Sequence, residues 1–161
     1  TIGPVHVNPG IKVETSPLYC VNCDKEFNNE NPGDPFHPFG IIIGHQFEWA
    51  RLAIELSHAL GSSAPTWLLT EAMNVYGIAK EIGWQVDGAP GFVYTVDFDE
   101  KPVVQMRMHW VITEAVAAAW TLSKNSDSND YLADFHEWWK SGSKDSCEMA
   151  IRLRRSSNHL E

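Results

Sequence analysis

Cysteine is scarce. Only three occur in 161 residues, an odd number, and Cys20 and Cys23 form the single close pair. Cys-x-x-Cys can supply half a zinc site or a redox pair. No second pair follows and Cys147 lies far along the chain, so no metal is expected, and the plain reading is reduced thiols in a cytoplasmic protein. Basic residues are also in deficit. Twelve Lys and Arg stand against twenty-one Asp and Glu, for a net charge of -9. Phosphate neutralisation needs clustered cations, and the one cluster, Arg152, Arg154 and Arg155, sits in the tail, so no nucleic-acid partner is expected. No apolar run reaches the roughly eighteen residues of a membrane span, and the N-terminus lacks the basic-then-apolar pattern of a signal peptide.

Tryptophan, by contrast, is abundant. Seven are present, and this side chain serves large cores and sugar-binding clefts, the core role being the commoner for any one of them. With 43% hydrophobic residues the chain can build one domain with a real core.

Residues 1–40 read as irregular, because Pro4, Pro9, Pro17, Pro32, Pro35 and Pro38 interrupt any long helix. From Gly44 to Leu60 the periodicity is helical, with Trp49, Leu52, Ala53, Leu56 and Leu60 on one stripe. Gly61-Ser62-Ser63 closes that helix. A second runs from Pro65 to Ile82 with Trp67, Leu68, Ala72, Val75 and Ala79 as its apolar face, and Gly83 stops it. Phe92 to Val96 is rich in strand formers, Asp97 to Lys101 reads as a turn, and Pro102 to Gln105 returns, which predicts a β-hairpin. Helical periodicity resumes from Met106 to Lys124. A fourth helix is expected from Asn129 to Lys140, stopped by Ser141-Gly142-Ser143 and followed by a short helix over 144–155. The expected layout is an irregular segment (1–40), a helical body (41–142) made of two helix pairs with an inserted hairpin, and an atypical tail (143–161).

Three groups of residues could carry chemistry. In Gly44-His45-Gln46-Phe47-Glu48-Trp49, His45 and Glu48 are three apart at a helix start and share a face. A carboxylate beside an imidazole suits a general acid/base near neutral pH, and Gly44 would leave room for a ligand. By spacing alone, a surface or capping pair is the commoner reading. In His109-Trp110-Val111-Ile112-Thr113-Glu114, Trp110 and Glu114 are four apart and point the same way. An aromatic face beside a carboxylate can stack a sugar and accept its hydroxyls, or it can be a core tryptophan beside a structural acid. Phe92, Tyr94 and Val96, with Asp97 and Asp99, either wall a cleft or cover a helix end.

The motifs resemble one family in combination. Asp34-Pro35-Phe36-His37-Pro38-Phe39-Gly40, then Gly44 to Leu52, Gly91 to Asp99 with Lys101-Pro102-Val103, Met108 to Ala115, and Tyr131 to Trp139 are similar in order and spacing to segments of the N-acylglucosamine 2-epimerase family, which includes mannose isomerases and sulfoquinovose isomerase. The resemblance implies a mostly α fold, helix pairs forming part of an (α/α)6 toroid with one short inserted β-hairpin. It also implies cofactor-free proton transfer next to the carbonyl of an open-chain sugar. His45 and Glu48 match the family's catalytic His-x-x-Glu. Trp110 and Glu114 match its sugar-binding pair, and Phe47 and Tyr94 join them as substrate-binding residues. Ile43 stands where the family has proline. The resemblance covers a middle-to-late portion of the family's length, and no family-like histidine motif follows Trp139. The expectation is therefore a monosaccharide-binding protein, incomplete as a catalyst by itself, whose half-toroid leaves apolar helix faces that favour a homodimer or larger assembly. The alternative is a non-catalytic sugar-binding or self-associating module.

Overall fold

The computed structural model describes residues 30–34 and 38–157, with side-chain surroundings up to Ser143. The Cys20/Cys23 pair, the side chains of Cys147 and of the tail arginines, His159 and most of the irregular 1–40 reading lie outside the described residues.

Strand β1 (Ile41–Ile42) runs straight into helix α1 (Ile43–Leu60). A turn of 3-10 helix at Gly61–Ser63 leads to α2 (Trp67–Gly83). Strands β2 (Thr95–Val96) and β3 (Pro102–Val104) follow, then α3 (His109–Asn125) and α4 (Asp130–Ser157). α1 packs against both α2 and α3, and α3 packs against α4. The molecule is mostly helical, as expected.

The expected hairpin is present and gains a third strand. The antiparallel sheet has the order β1-β2-β3, with Ile41 opposite Val96 and Ile42 opposite Thr95. A two-residue strand running into a helix has no alternation to read, so β1 escapes sequence inspection. Gly40 makes the pairing possible. Its φ is +102°, and a Cβ there would stand 2.2 Å from the Val96 carbonyl oxygen. The hairpin turn is organised by Asp97, whose Oδ1 accepts the N–H groups of Asp99 and Lys101, each at 2.9 Å. That oxygen is spent on the turn.

Aromatic rings join the helices. Trp138 of α4 is fully buried, with ring centroids 5.5 Å from Phe47 of α1, 5.7 Å from Tyr76 of α2, and 4.9 Å from Phe92 before β2. Edge-to-face pairs at such spacings stabilise beyond their buried area. Beside them Tyr76 Oη donates to Asp134 Oδ2 at 2.9 Å, and Lys80 Nζ donates to Asp134 Oδ1 at 2.7 Å, so the buried carboxylate is paired. α3 contributes Ala115, Ala118 and Ala119, all fully buried, which let neighbouring helices approach closely.

Two sequence expectations are corrected. The stripe Trp49, Leu52, Leu56 and Leu60 is not the core face of α1. These side chains are between 37% and 49% exposed, while Ile43, Phe47, Ala50 and Ile54 face the core. α1 is apolar on two faces, and periodicity cannot choose between them. Secondly, α4 does not stop at Ser141-Gly142-Ser143 but runs on to Ser157. A glycine inside a helix costs only about 1 kcal/mol, and no proline follows to forbid continuation. Gly142 packs on Ile112, where a Cβ would be 3.4 Å from Cγ2, and the Ser143 hydroxyl donates to the Lys140 carbonyl at 3.0 Å.

Candidate functional site

The N-terminal turns of α1 and α3 meet side by side and bring His45 against Trp110, with ring centroids 5.3 Å apart and planes tilted by 43°. The approach depends on Gly44. A Cβ there would fall 2.2 Å from Trp110 Cζ3 and 2.5 Å from Cη2. The space expected above Gly44 for a ligand is therefore filled by the indole. Tyr94, almost fully buried at 7% exposure, meets the indole at 5.9 Å with planes 87° apart. Trp110 is thus held by contacts with Gly44, His45 and Tyr94 and remains only partly buried.

His45 lies at the rim of the packed interior, partly exposed. Its Nδ1 is buried and has no hydrogen-bond partner, which leaves Nε2 as the nitrogen that meets the surface. Glu48, one turn further along α1, is also partly buried. Among the described residues no hydrogen bond joins it to His45, so the expected carboxylate–imidazole contact is not made in this arrangement. Phe47 is turned the other way. It is fully buried and meets Tyr76, Phe92 and Trp138 edge-on, so the structure does not bring it to the group formed by its neighbours in sequence.

Glu114 lies one turn beyond Trp110 on α3 and is held from α1. Arg51 Nη2 donates to Glu114 Oε2 at 3.1 Å, and Nη1 donates to Glu55 Oε1 at 2.9 Å. Burial works against the charged guanidinium, but the hydrogen bonds to Glu55 and Glu114 outweigh it, and the Arg51 pKa lies above its ordinary value. Arg51 is a residue that sequence reading missed. Its i,i+4 pairing with Glu55 is legible, but its partner sixty-three positions away becomes visible only when α1 and α3 are packed together.

An open apolar groove of about 300 Å3 lies elsewhere, lined by His109, Ile112, Thr113 and Val116 of α3 and by Trp138, Trp139, Gly142 and Ser143 of α4. Its α3 residues fall on a different stripe from Trp110 and Glu114, and it contains none of the residues of the His45 group. Among the described residues no three His, Cys, Asp or Glu side chains converge as a metal ion would need, and no helix is long and apolar enough to cross a membrane.

Comparison with known proteins gives a consistent pattern. The family model for N-acylglucosamine 2-epimerase matches residues 20–145. A D-mannose isomerase of Thermobifida fusca is 42% identical over 114 residues, and one of Pseudomonas cannabina pv. alisalensis is 46% identical over 118. Each match covers 71% of this chain and 28% of the relative. Among solved structures, a crystal structure of D-mannose isomerase superposes with a TM-score of 0.65 at 29% identity, over 73% of this chain and 29% of that one. The chain therefore spans well under a third of the length of the relatives it matches.

Proposed function

We propose a function from one established premise: this chain belongs to the N-acylglucosamine 2-epimerase family. Our reading is that it carries part of a site that isomerises or epimerises an open-chain monosaccharide through an enediolate. His45 takes the proton from the carbon next to the carbonyl through Nε2. The C–H electron pair becomes the new carbon–carbon π bond, and the carbonyl π pair moves to oxygen. Moving the neighbouring hydroxyl's proton to the former carbonyl oxygen and returning a proton to the former carbonyl carbon gives the isomer. Returning it to the opposite face of the original carbon gives the epimer. Glu48, one turn from His45, assists that transfer. Trp110 stacks the apolar side of the sugar and Glu114 accepts hydroxyl hydrogen bonds. The second acid/base group is contributed from outside the residues assigned here.

One observation carries the reading. His45 stands at the rim with Nε2 open and Trp110 beside it, rather than being enclosed in the core. The test is incubation with mannose, fructose, glucose and N-acetylmannosamine. Interconversion that disappears in His45→Ala supports proton transfer. Sugar-dependent tryptophan fluorescence without turnover, lost in Trp110→Ala, reduces the reading to a binding module. The absence of both responses overturns the reading. The odd cysteine count favours a reducing compartment, and we propose a cytoplasmic location.

A second reading is favoured by the outer face of α1. Trp49, Leu52, Leu56 and Leu60 form a continuous exposed stripe, and apolar surface of this kind tends to be covered by association. We propose that a second copy of the chain covers it, giving a homodimer. Light scattering coupled to size-exclusion chromatography is expected to report twice the 18.1 kDa chain mass. A monomer at micromolar concentration refutes it.

A further inference from the structure

We infer that Arg51 is a positioning residue of this site: by holding one oxygen of Glu114 from the neighbouring helix, it fixes that carboxylate and leaves the other oxygen as the acceptor for a sugar hydroxyl. The inference rests on the sugar-site reading above and assigns a role to a residue that reading does not use.

The geometry separates two carboxylates on adjacent helices. Glu48 is three positions before Arg51 on α1, within reach for an i,i+3 pair, yet Arg51 turns to Glu55 and to Glu114 instead. Glu114 Oε2 is therefore committed and Oε1 is not, while Glu48 stays uncommitted beside His45. A carboxylate oxygen accepts hydrogen bonds, so the one left open favours a ligand hydroxyl that can donate. Arg51 is itself anchored by the 2.9 Å contact to Glu55, so the Glu114 carboxylate is held by a fixed group rather than a roaming one. Arg51 and Glu114 are only 23% and 24% exposed, which limits screening of the pair.

The experiment titrates mannose and fructose into the whole chain, follows tryptophan fluorescence, and records the melting temperature of every variant. Arg51→Met is expected to weaken sugar binding about tenfold, the usual cost of losing a charge-assisted contact in a site. Arg51→Lys restores the charge and is expected to recover most of that loss. Glu114→Gln alone is expected to weaken binding to a similar extent. Adding Arg51→Met to Glu114→Gln is expected to cost less than about twofold more, because both changes remove one unit. Asp134→Asn, in the pair with Tyr76 and Lys80 outside this site, lowers the melting temperature without changing sugar affinity by more than about twofold. If Arg51→Met does not fold, the cycle is completed with Arg51→Gln, which must then lose its effect in the Glu114→Gln background. Sugar binding by Arg51→Met equal to that of the unaltered chain overturns the inference alone, as do losses that multiply independently or follow melting temperature across the series. No sugar response from the unaltered chain overturns the site reading and this role with it.

Discussion

Replacing Gly44 by alanine should destabilise the protein even though alanine is the better helix former. In an exposed helix interior this change is worth about 1 kcal/mol in favour of alanine. At Gly44 the added methyl would stand 2.2 Å from Trp110 Cζ3, 2.5 Å from Cη2 and 2.9 Å from Cε3. Carbon atoms in contact prefer roughly 3.5–4.0 Å, so the indole must retreat by more than 1 Å. Overpacking of this kind costs about 1–3 kcal/mol, leaving a net loss of up to about 2 kcal/mol after the propensity gain. Two further glycines calibrate the result within the same protein. At Gly77 on α2 nothing lies within 4 Å of a built Cβ, so Gly77→Ala should show the bare propensity gain of about 1 kcal/mol. At Gly83 the nearest atom is Ile43 Cγ2 at 2.7 Å, the branch of a packed side chain, so Gly83→Ala should fall between the other two. Urea unfolding followed by circular dichroism measures all three, and tryptophan emission reports the displaced indole. Trp110→Ala opens the space, so in that background Gly44→Ala should approach the gain seen at Gly77. A Gly44→Ala protein as stable as Gly77→Ala, with unchanged emission, would show that the indole does not rest on that glycine.

The remaining predictions concern the core and the loop contacts. Trp138→Ala removes the ring that Phe47, Tyr76 and Phe92 share and should cost about 3–5 kcal/mol by chemical denaturation. Asp134→Ala strands the Tyr76 hydroxyl and the Lys80 ammonium and should cost about 2–3 kcal/mol, with Asp134→Asn milder because the amide oxygen still accepts. Burial, and then the Asp134 charge and hydrogen bond, push the Tyr76 pKa well above its ordinary value. Ultraviolet titration should accordingly show one tyrosine that stays un-ionised until the protein unfolds in alkali. The hydrogen bonds from Arg107 hold the Asp87 carboxyl down at about 2, from an ordinary 3.8. A depressed carboxylate pKa stabilises the fold above the unfolded value, and that contribution disappears as pH falls from about 4 towards 2. Thermal melts across that range should lose this part of their pH dependence in Asp87→Asn, and an unchanged acid profile would rule the pair out as its source.

How much was legible in the sequence depended on whether a feature was periodic or relational. The α1, α2 and α3 spans could be read because apolar residues recur at helical spacing and Gly61 and Gly83 end two of them, and the hairpin because Phe92 to Val96 and the Asp97 turn are strong local signals. The pairing of Trp110 with Glu114 on one stripe was legible for the same reason. The relations between segments were not. The glycine at 44 suggested room for a ligand, whereas α3 places an indole there. The resemblance grouped Phe47 with His45, whereas the helix turns the phenylalanine into the core and the histidine to the rim. The bond from Arg51 to Glu114 joins two motifs that each looked self-contained.

The misread face of α1 follows from the same physics and bears on assembly. A helix with one apolar stripe needs one neighbour, and a helix apolar on two sides needs two. α1 meets the first demand with Ile43, Phe47, Ala50 and Ile54, and on the second face Leu52, Leu56 and Leu60 stay 37%, 49% and 42% exposed. Fully burying one such side chain is worth roughly 1.5–3 kcal/mol. Each of the three is already more than half covered, so together they retain a few kcal/mol that only a further surface could supply. That is enough to shift association at micromolar concentration but too little to hold a dimer alone, so the interface must extend beyond the stripe. Leu52→Lys and Leu56→Lys, which carry charge into its centre, should therefore dissociate an assembly without altering the fold of the monomer. If the chain stays associated in both variants, with unchanged mass by light scattering, this face is not the interface.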